Sequence, residues 1–455
     1  MIKINSLKFS PENIFVVLGL FFGLLFIFIT PPFQVPDEFA HFCRAFQVSE
    51  GQIIVKYEGE QPGDYIPISL RKLEVSLIKH IPFHPENKIT LNEIVLQSRV
   101  PLMPKQRSFT YCSAAMYSPI PYFPQIIGWW IGRSLSLPIL AIFYTGRIFN
   151  LLAWIVFTFL AIRRAPVFRW VFLLIALMPM SLFLAASLSA DAMTNALSFL
   201  FIAYILYLAF DHPENISPAD LAILCILTIS STLTKPPNIL LLGIYFLIPV
   251  RKLGSIKHYI AAFIFLVLIN SIIGAIWLYI GSRGIIPFYD GADFSEQVIF
   301  IINNPVNYLI AILRTIKIHR LLFSGMFVGF LGWLDTVLPY WTYITYPVIL
   351  VFMALYENTQ RIRFNLTNRI IILVTLLSTV LVVFTFLYLL STPVGYNTIL
   401  GFQGRYLITV APLFFLLFYN NKLATNLPIK IIVPIYISIV LLTTLYTLVH
   451  RYYLL

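Results

Sequence analysis

The stretch Ile14-Phe15-Val16-Val17-Leu18-Gly19-Leu20-Phe21-Phe22-Gly23-Leu24-Leu25-Phe26-Ile27-Phe28-Ile29-Thr30, running into Pro31-Pro32-Phe33-Gln34-Val35-Pro36-Asp37-Glu38-Phe39-Ala40-His41, sets the class of the fold. Its first part is uncharged, continuous and long enough to cross a bilayer as a helix that satisfies its own backbone. A transmembrane barrel strand would alternate apolar and polar residues, and this run does not. Lys3 and Lys8 precede it and no small-residue cleavage site follows it, so it reads as an uncleaved anchor with its start in the cytoplasm. Its second part then places two adjacent carboxylates and an imidazole at a membrane surface.

The remainder of the chain has the same character. Of 455 residues, 59% are hydrophobic and only 11% charged, and the mean hydropathy is +0.86, which predicts an all-α polytopic membrane protein embedded in a lipid bilayer. Apolar runs near 14–30, 138–161, 168–189, 192–210, 219–235, 237–250, 259–281, 337–356, 370–390, 406–420 and 430–448 give about 11 transmembrane helices. With the N-terminus inside, Lys3, Lys8, Arg163, Arg164, Arg169, Arg251, Lys252, Lys257, Arg361, Arg363, Arg369, Lys422 and Lys430 all fall on the cytoplasmic side. That distribution accounts for most of the net charge of +12, so nucleic acid is not an expected partner.

The segment from Tyr117 to Leu137 is apolar enough to span, but counting it would put Arg163 and Arg164 outside. Its prolines and Trp129-Trp130 suit an interfacial helix instead. The chain then forms one integral-membrane domain, 1–455, with two large extracytoplasmic regions. Residues 31–137 make the first; within it, 31–118 hold nine of the nineteen acidic residues and nine Lys and Arg, a mixture that predicts a small folded element carrying surface-lying helices. Residues 282–336 make the second, in which Asn304–Arg320 combines apolar spacing with a basic face and predicts another surface-lying helix. Cys43 and Cys112 share the first region, where a disulfide is open to them; Cys225 lies in an apolar run and reads as packing. No internal repeat is visible, which disfavours transporters built from duplicated halves.

Charges outside or within spans carry the chemical information. Arg147 sits ten residues into an apolar run, where an arginine needs a partner or a polar cavity; reach to lipid headgroups is the plain alternative. Asp191 marks an outer corner, where helix capping alone would explain it. Lys235 and Arg405 occupy outer corners against the positive-inside preference, and a phosphate group there would give Arg147, Lys235 and Arg405 a common purpose. For Asp37, Glu38 and His41 three readings fit: a helix start with Pro36 in the first turn and carboxylates facing the dipole, a metal site, or a catalytic base. As a metal site the trio is sparse. It suits Mg²⁺ or Mn²⁺ held partly through water and substrate phosphate, whereas no zinc spacing is present. A nucleophile elbow and a phosphate-cradling Gly-rich loop are also absent.

Pro36-Asp37-Glu38 with His41, the Pro-rich Tyr117–Pro124 stretch, Gly146-Arg147, Ser189-Ala190-Asp191, Gly332-Trp333-Leu334-Asp335 and Gln403-Gly404-Arg405-Tyr406 together resemble an uncharacterised family of predicted bacterial membrane proteins. That family looks like a branch of the GT-C glycosyltransferase superfamily, and the resemblance extends over nearly the whole chain. It implies a GT-C-like fold in the bacterial cytoplasmic (inner) membrane and an active site facing outside. The implied activity is transfer of a sugar from a polyprenyl-phosphate donor to an extracytoplasmic glycan or lipid acceptor, with inversion. Asp37 matches the position of the candidate catalytic residue in such enzymes. With it, Glu38 joins the catalytic pair, His41 and Asp191 orient base or acceptor, and Arg147, Lys235 and Arg405 bind the donor phosphate. No cofactor is required by this reading, and a divalent cation, Mg²⁺ or Mn²⁺, stays an open option. Two other classes remain open. A lipid-linked oligosaccharide polymerase or ligase would use a pyrophosphate-linked donor, and a polar-lipid transporter or flippase would spread polar groups through mid-membrane depth.

Overall fold

A computed structural model describes residues 10–212, 215–282, 289–357, 362–420, 422, 423, 425 and 427–454. Lys3, Lys8 and Arg361, and positions 283–288 of the 282–336 region, lie outside the described residues. The chain is mostly helical. Six described helices are long and apolar enough to cross a membrane: α1 (Pro11–Ile29), α6 (Ile139–Arg164), α9 (Asp191–Phe210), α11 (Ile256–Ser282), α15 (Leu366–Ser391) and α17 (Ile429–Tyr452). The pair α12 (Phe294–Asn303) and α13 (Pro305–Val328), bent by 106°, makes seven if it is one span.

The other runs expected to span are shorter or interrupted. Residues 168–189 fold as α7 (Arg169–Ala176) and α8 (Pro179–Ala185), broken before Pro179, which lacks an N–H to donate to the preceding turn. Residues 219–235 form α10 (Pro218–Thr234), and 337–356 form α14 (Tyr340–Tyr356). Residues 237–250 wind as the tighter 3₁₀ helix Pro236–Leu247, and 406–420 as the 3₁₀ turn Gly404–Val410 followed by α16 (Ala411–Leu416). Continuous hydropathy gave no sign of these breaks, because it reports composition and not hydrogen-bond pattern.

The 31–137 region is not purely helical. It holds α2 (Glu38–Ser49), α3 (Ile68–Ile78), α4 (Leu91–Gln97) and α5 (Phe123–Ser134) around an antiparallel sheet of β1 (Lys56–Glu58), β2 (Gln61–Pro67) and β3 (Arg107–Tyr111), with β2 central and Asp64 opposite Thr110. The all-α expectation is corrected here, and again by the small hairpin β4 (Phe330–Leu331) and β5 (Thr336–Val337). Cys43 and Cys112 are buried free thiols.

α5 is too short to cross a bilayer, about 18 Å at 1.5 Å per residue. It lies along the first half of α6, where a Cβ on Gly128 would come within 2.7 Å of the Gly146 backbone nitrogen. Its aromatic pair divides, with Trp129 buried and Trp130 exposed while donating Nε1–H to the Ser49 carbonyl at 3.1 Å.

The long helices have two chemically distinct ends. Glu12 near the start of α1 meets Arg169 at 3.6 Å; Arg164, closing α6, lies 3.8 Å over the Tyr207 ring near the end of α9; and Lys252 binds the carbonyls of Leu208 and His212. This basic end lies a full helix length from Thr30, Asp191 and Lys235, which mark the opposite ends of α1, α9 and α10.

Candidate functional site

Two buried arginines define the chemistry by contrast. Arg147 is 0% exposed and spends all five N–H donors. Nε and Nη2 clamp the Glu38 carboxylate at 2.8 and 2.7 Å, Nη1 donates to the carbonyls of Ile27 and Thr30 at 2.8 and 2.7 Å, and Nη2 also reaches the Pro31 carbonyl at 3.2 Å. Glu38 is equally saturated, accepting in addition from the backbone N–H groups of Phe33 at 2.9 Å and Leu188 at 3.1 Å. The end of α1, the 31–38 loop, α6 and the 187–190 corner are thereby joined in one knot. Arg147 and Glu38 are scaffold in this geometry, and the expectation that Arg147 shares a phosphate with Lys235 and Arg405 is corrected: no donor remains to offer one.

The turn at Asp37 separates neighbours in sequence. Asp37 lies in the left-handed region, φ 61°, ψ 10°, a conformation uncommon for a residue with a side chain, though Asp tolerates it better than most. Helix α2 begins at Glu38, so Pro36 is not in its first turn and Asp37 makes no side-chain cap. Glu38 turns into the knot, while the Asp37 carboxylate stays 52% exposed and meets Arg405 Nη2 at 3.5 Å. Glu38 therefore does not share a site with Asp37 and His41.

Arg405 is only 5% exposed, yet among the described residues its Nε–H has no partner and its contacts to Asp37 and to Asp191, at 3.5 and 3.6 Å, are longer than hydrogen bonds. Beside it the Gln403 Oε1 is also buried without a partner. Such unspent buried groups are costly unless something binds them. Position is enforced from two directions. A Cβ on Gly404 would collide with the Phe323 carbonyl, so only glycine allows α13 this close to Arg405; and Thr409 donates to Asn195 Oδ1 at 2.7 Å, tying the Arg405 turn to α9.

Asp191 does not cap its helix with its side chain: Ala190 is the N-cap, and the carboxylate faces Arg405 Nη1. Its corner is pinned by Asn150 Nδ2 donating to the Ser187 and Ser189 carbonyls and Gln125 Nε2 donating to the Leu188 carbonyl. Lys235 closes the group from α10, its Nζ 3.8 Å over the Tyr406 ring. A narrow crevice opens beside it, lined by Lys235, Asn238, Thr379, Val380, Phe402 and Tyr406 among others. Asp37, Asp191, Lys235, Arg405 and His41 are thus brought together; Glu38 and Arg147 are not. Among the described residues no three His, Cys, Asp or Glu converge as metal ligands, and the cation between the two carboxylates is Arg405.

His41 is held from behind by Tyr122, its Nδ1 2.7 Å from the hydroxyl, with the Tyr117 ring edge-on at 5.8 Å. Burial pushes the imidazole below its ordinary value of 6.5, against the opposing pull of Asp37 and Asp191. Because the unfolded chain then binds more protons between the lowered value and 6.5, stability falls as pH drops through that window. Thermal unfolding of the wild type between pH 7 and pH 5 should show this slope, and His41→Gln should flatten it; an unchanged slope would remove His41 from the account. Tyr122, Gln403 and Tyr406 escaped sequence reasoning. Their only signal was polar atoms inside the aromatic Tyr117–Pro124 and Gln403–Tyr406 stretches.

No curated protein and no solved structure matches the chain. The family model described as "Predicted membrane protein (DUF2142)" matches residues 20–414, which include every member of this cluster, and the chain belongs to that family.

Proposed function

We propose that the protein is a GT-C-type glycosyltransferase that moves a sugar from a polyprenyl-phosphate donor to an extracytoplasmic glycan or lipid acceptor with inversion. The observation that carries this reading is Arg405: a buried guanidinium with unspent donors, flanked by two carboxylates, beside Lys235 and a largely apolar crevice. A planar fork with free N–H groups suits phosphate oxygens. Asp37, the exposed carboxylate, takes the proton of the acceptor hydroxyl as its oxygen bonds to the anomeric carbon. The bond from that carbon to the phosphate oxygen breaks, and polyprenyl phosphate leaves with the electron pair toward Arg405 and Lys235. Asp191 holds Arg405 from the other side, and neutral His41 borders the acceptor's approach.

In this reading the protein lies in the bacterial inner membrane with its N-terminus in the cytoplasm and about eleven crossings, the shorter and 3₁₀ segments completing the count. Arg163 and Arg164 closing α6, Arg251 and Lys252 ahead of α11, and Arg369 in the first turns of α15 support that orientation. The test is transfer in proteoliposomes given a radiolabelled polyprenyl-monophosphate sugar and no ion gradient. Wild-type protein should transfer label, and Asp37→Asn, inserted normally, should lose roughly 10²–10⁴-fold, the range of general-base catalysis. Full activity in that variant would discard the assignment, and transfer only from a pyrophosphate-linked donor would favour a polymerase or ligase.

A further inference from the structure

Residues 297–334 contain no Asp or Glu, yet Arg314, Lys317 and Arg320 follow one another there on exposed positions of α13. Among the described residues no carboxylate lies within 4 Å of any of the three. The opposite side of the same helix shows where they sit. Near the start of α13, the Tyr308 hydroxyl meets Thr385 Oγ1 at 2.6 Å, six residues before the end of α15 and so about 9 Å down that helix. About two turns further on, Thr315 Oγ1 accepts from the Ile399 backbone at 2.7 Å, in the segment beyond α15. Phe323 then packs on Phe402, with ring centroids 4.8 Å apart.

The exposed side changes at the same level. Val306, Leu309, Ile310 and Leu313 are 66, 53, 51 and 66% exposed beside the last turns of α15; from Arg314 to Arg320 three cations join the exposed Ile316 and Ile318, ahead of the exposed Leu321. An exposed apolar face that acquires cations where a spanning neighbour ends is the pattern of a hydrocarbon–headgroup boundary. From this coincidence we infer that Arg314, Lys317 and Arg320 bind the phosphate headgroups of anionic bilayer phospholipids. The site is separate from the Arg405 cluster, and the inference stands whether or not the protein transfers sugars.

Native mass spectrometry of the full chain released from nanodiscs of equal phosphatidylcholine and phosphatidylglycerol tests this. Wild-type protein should retain phosphatidylglycerol preferentially, and Arg314→Gln/Lys317→Gln/Arg320→Gln should reduce that preference by roughly tenfold or more, given the contribution of each basic residue near an anionic surface. The double variant Arg314→Lys/Arg320→Lys, which keeps the charge, should retain it. So should Lys257→Gln/Arg363→Gln, which removes two cations near the basic end. Unchanged retention in the triple variant, or equal loss in the Lys257/Arg363 control, overturns the inference. Displacement of the lipid by millimolar inorganic phosphate also overturns it, because the stripe would then be a free-phosphate site.

Discussion

Arg405→Ala should lower sugar transfer by roughly 10²–10³-fold, the usual cost of removing one preorganised group that stabilises departing charge, while leaving the protein inserted and folded. The two halves of that expectation rest on the same geometry. Arg405 makes no hydrogen bond of normal length to Asp37 or Asp191, so few native interactions are lost with it. Asp37 is half exposed, and Lys235 stays nearby, so the carboxylates it leaves are not stranded in an apolar interior. Arg405→Lys should fall between alanine and wild type, since an ammonium supplies charge without the planar fork. The measurement is initial rate at saturating donor together with thermal unfolding of the same preparations. A variant that transfers normally, or that loses activity only in proportion to unfolded protein, would show that Arg405 does not serve the reaction.

Asp37 could be picked out from sequence by the resemblance, which places a candidate catalytic residue at its position, and Arg405 because it is a charge where hydropathy and the positive-inside preference provide no reason for one. Arg147 met the same criterion and belongs elsewhere. Its partner Glu38 lies 109 residues away in the chain and beside Asp37, so one local motif held a carboxylate for the site and another for the scaffold. Only the left-handed turn at Asp37 separates them, and nothing in Val35-Pro36-Asp37-Glu38 announces a positive φ at a non-glycine residue. The spans at α1, α6, α9, α11, α15 and α17 were legible because a long apolar run has few alternatives. The 3₁₀ winding of Pro236–Leu247 was not, since its residues are as apolar as those of a regular helix. Strand β2 escaped for the opposite reason: Gln61-Pro62-Gly63-Asp64 has the composition of a turn, and its strand state depends on Arg107–Tyr111, more than forty residues on.

Arg147→Met should behave in the opposite way to Arg405→Ala, costing about 3–5 kcal/mol of stability, because it leaves a buried Glu38 carboxylate uncompensated. The expected readout is poor accumulation in the membrane and a lowered unfolding temperature, with transfer per folded molecule little changed. Glu38→Leu should be similarly damaging, since it strands the guanidinium. The double variant Glu38→Leu/Arg147→Met should recover part of the loss, as apolar replacement of a whole buried pair is often close to neutral. Recovery stays incomplete because the pair also serves the carbonyls of Ile27, Thr30 and Pro31 and the N–H groups of Phe33 and Leu188. Each group left unsatisfied costs about 1–3 kcal/mol. A positive coupling between the two substitutions in stability, with none in transfer rate, is the signature of a scaffold pair. If Arg147→Met instead unfolded like wild type and lost transfer, the donor phosphate would have to reach Arg147 after all, and the knot around Glu38 would have to open during turnover to release its donors.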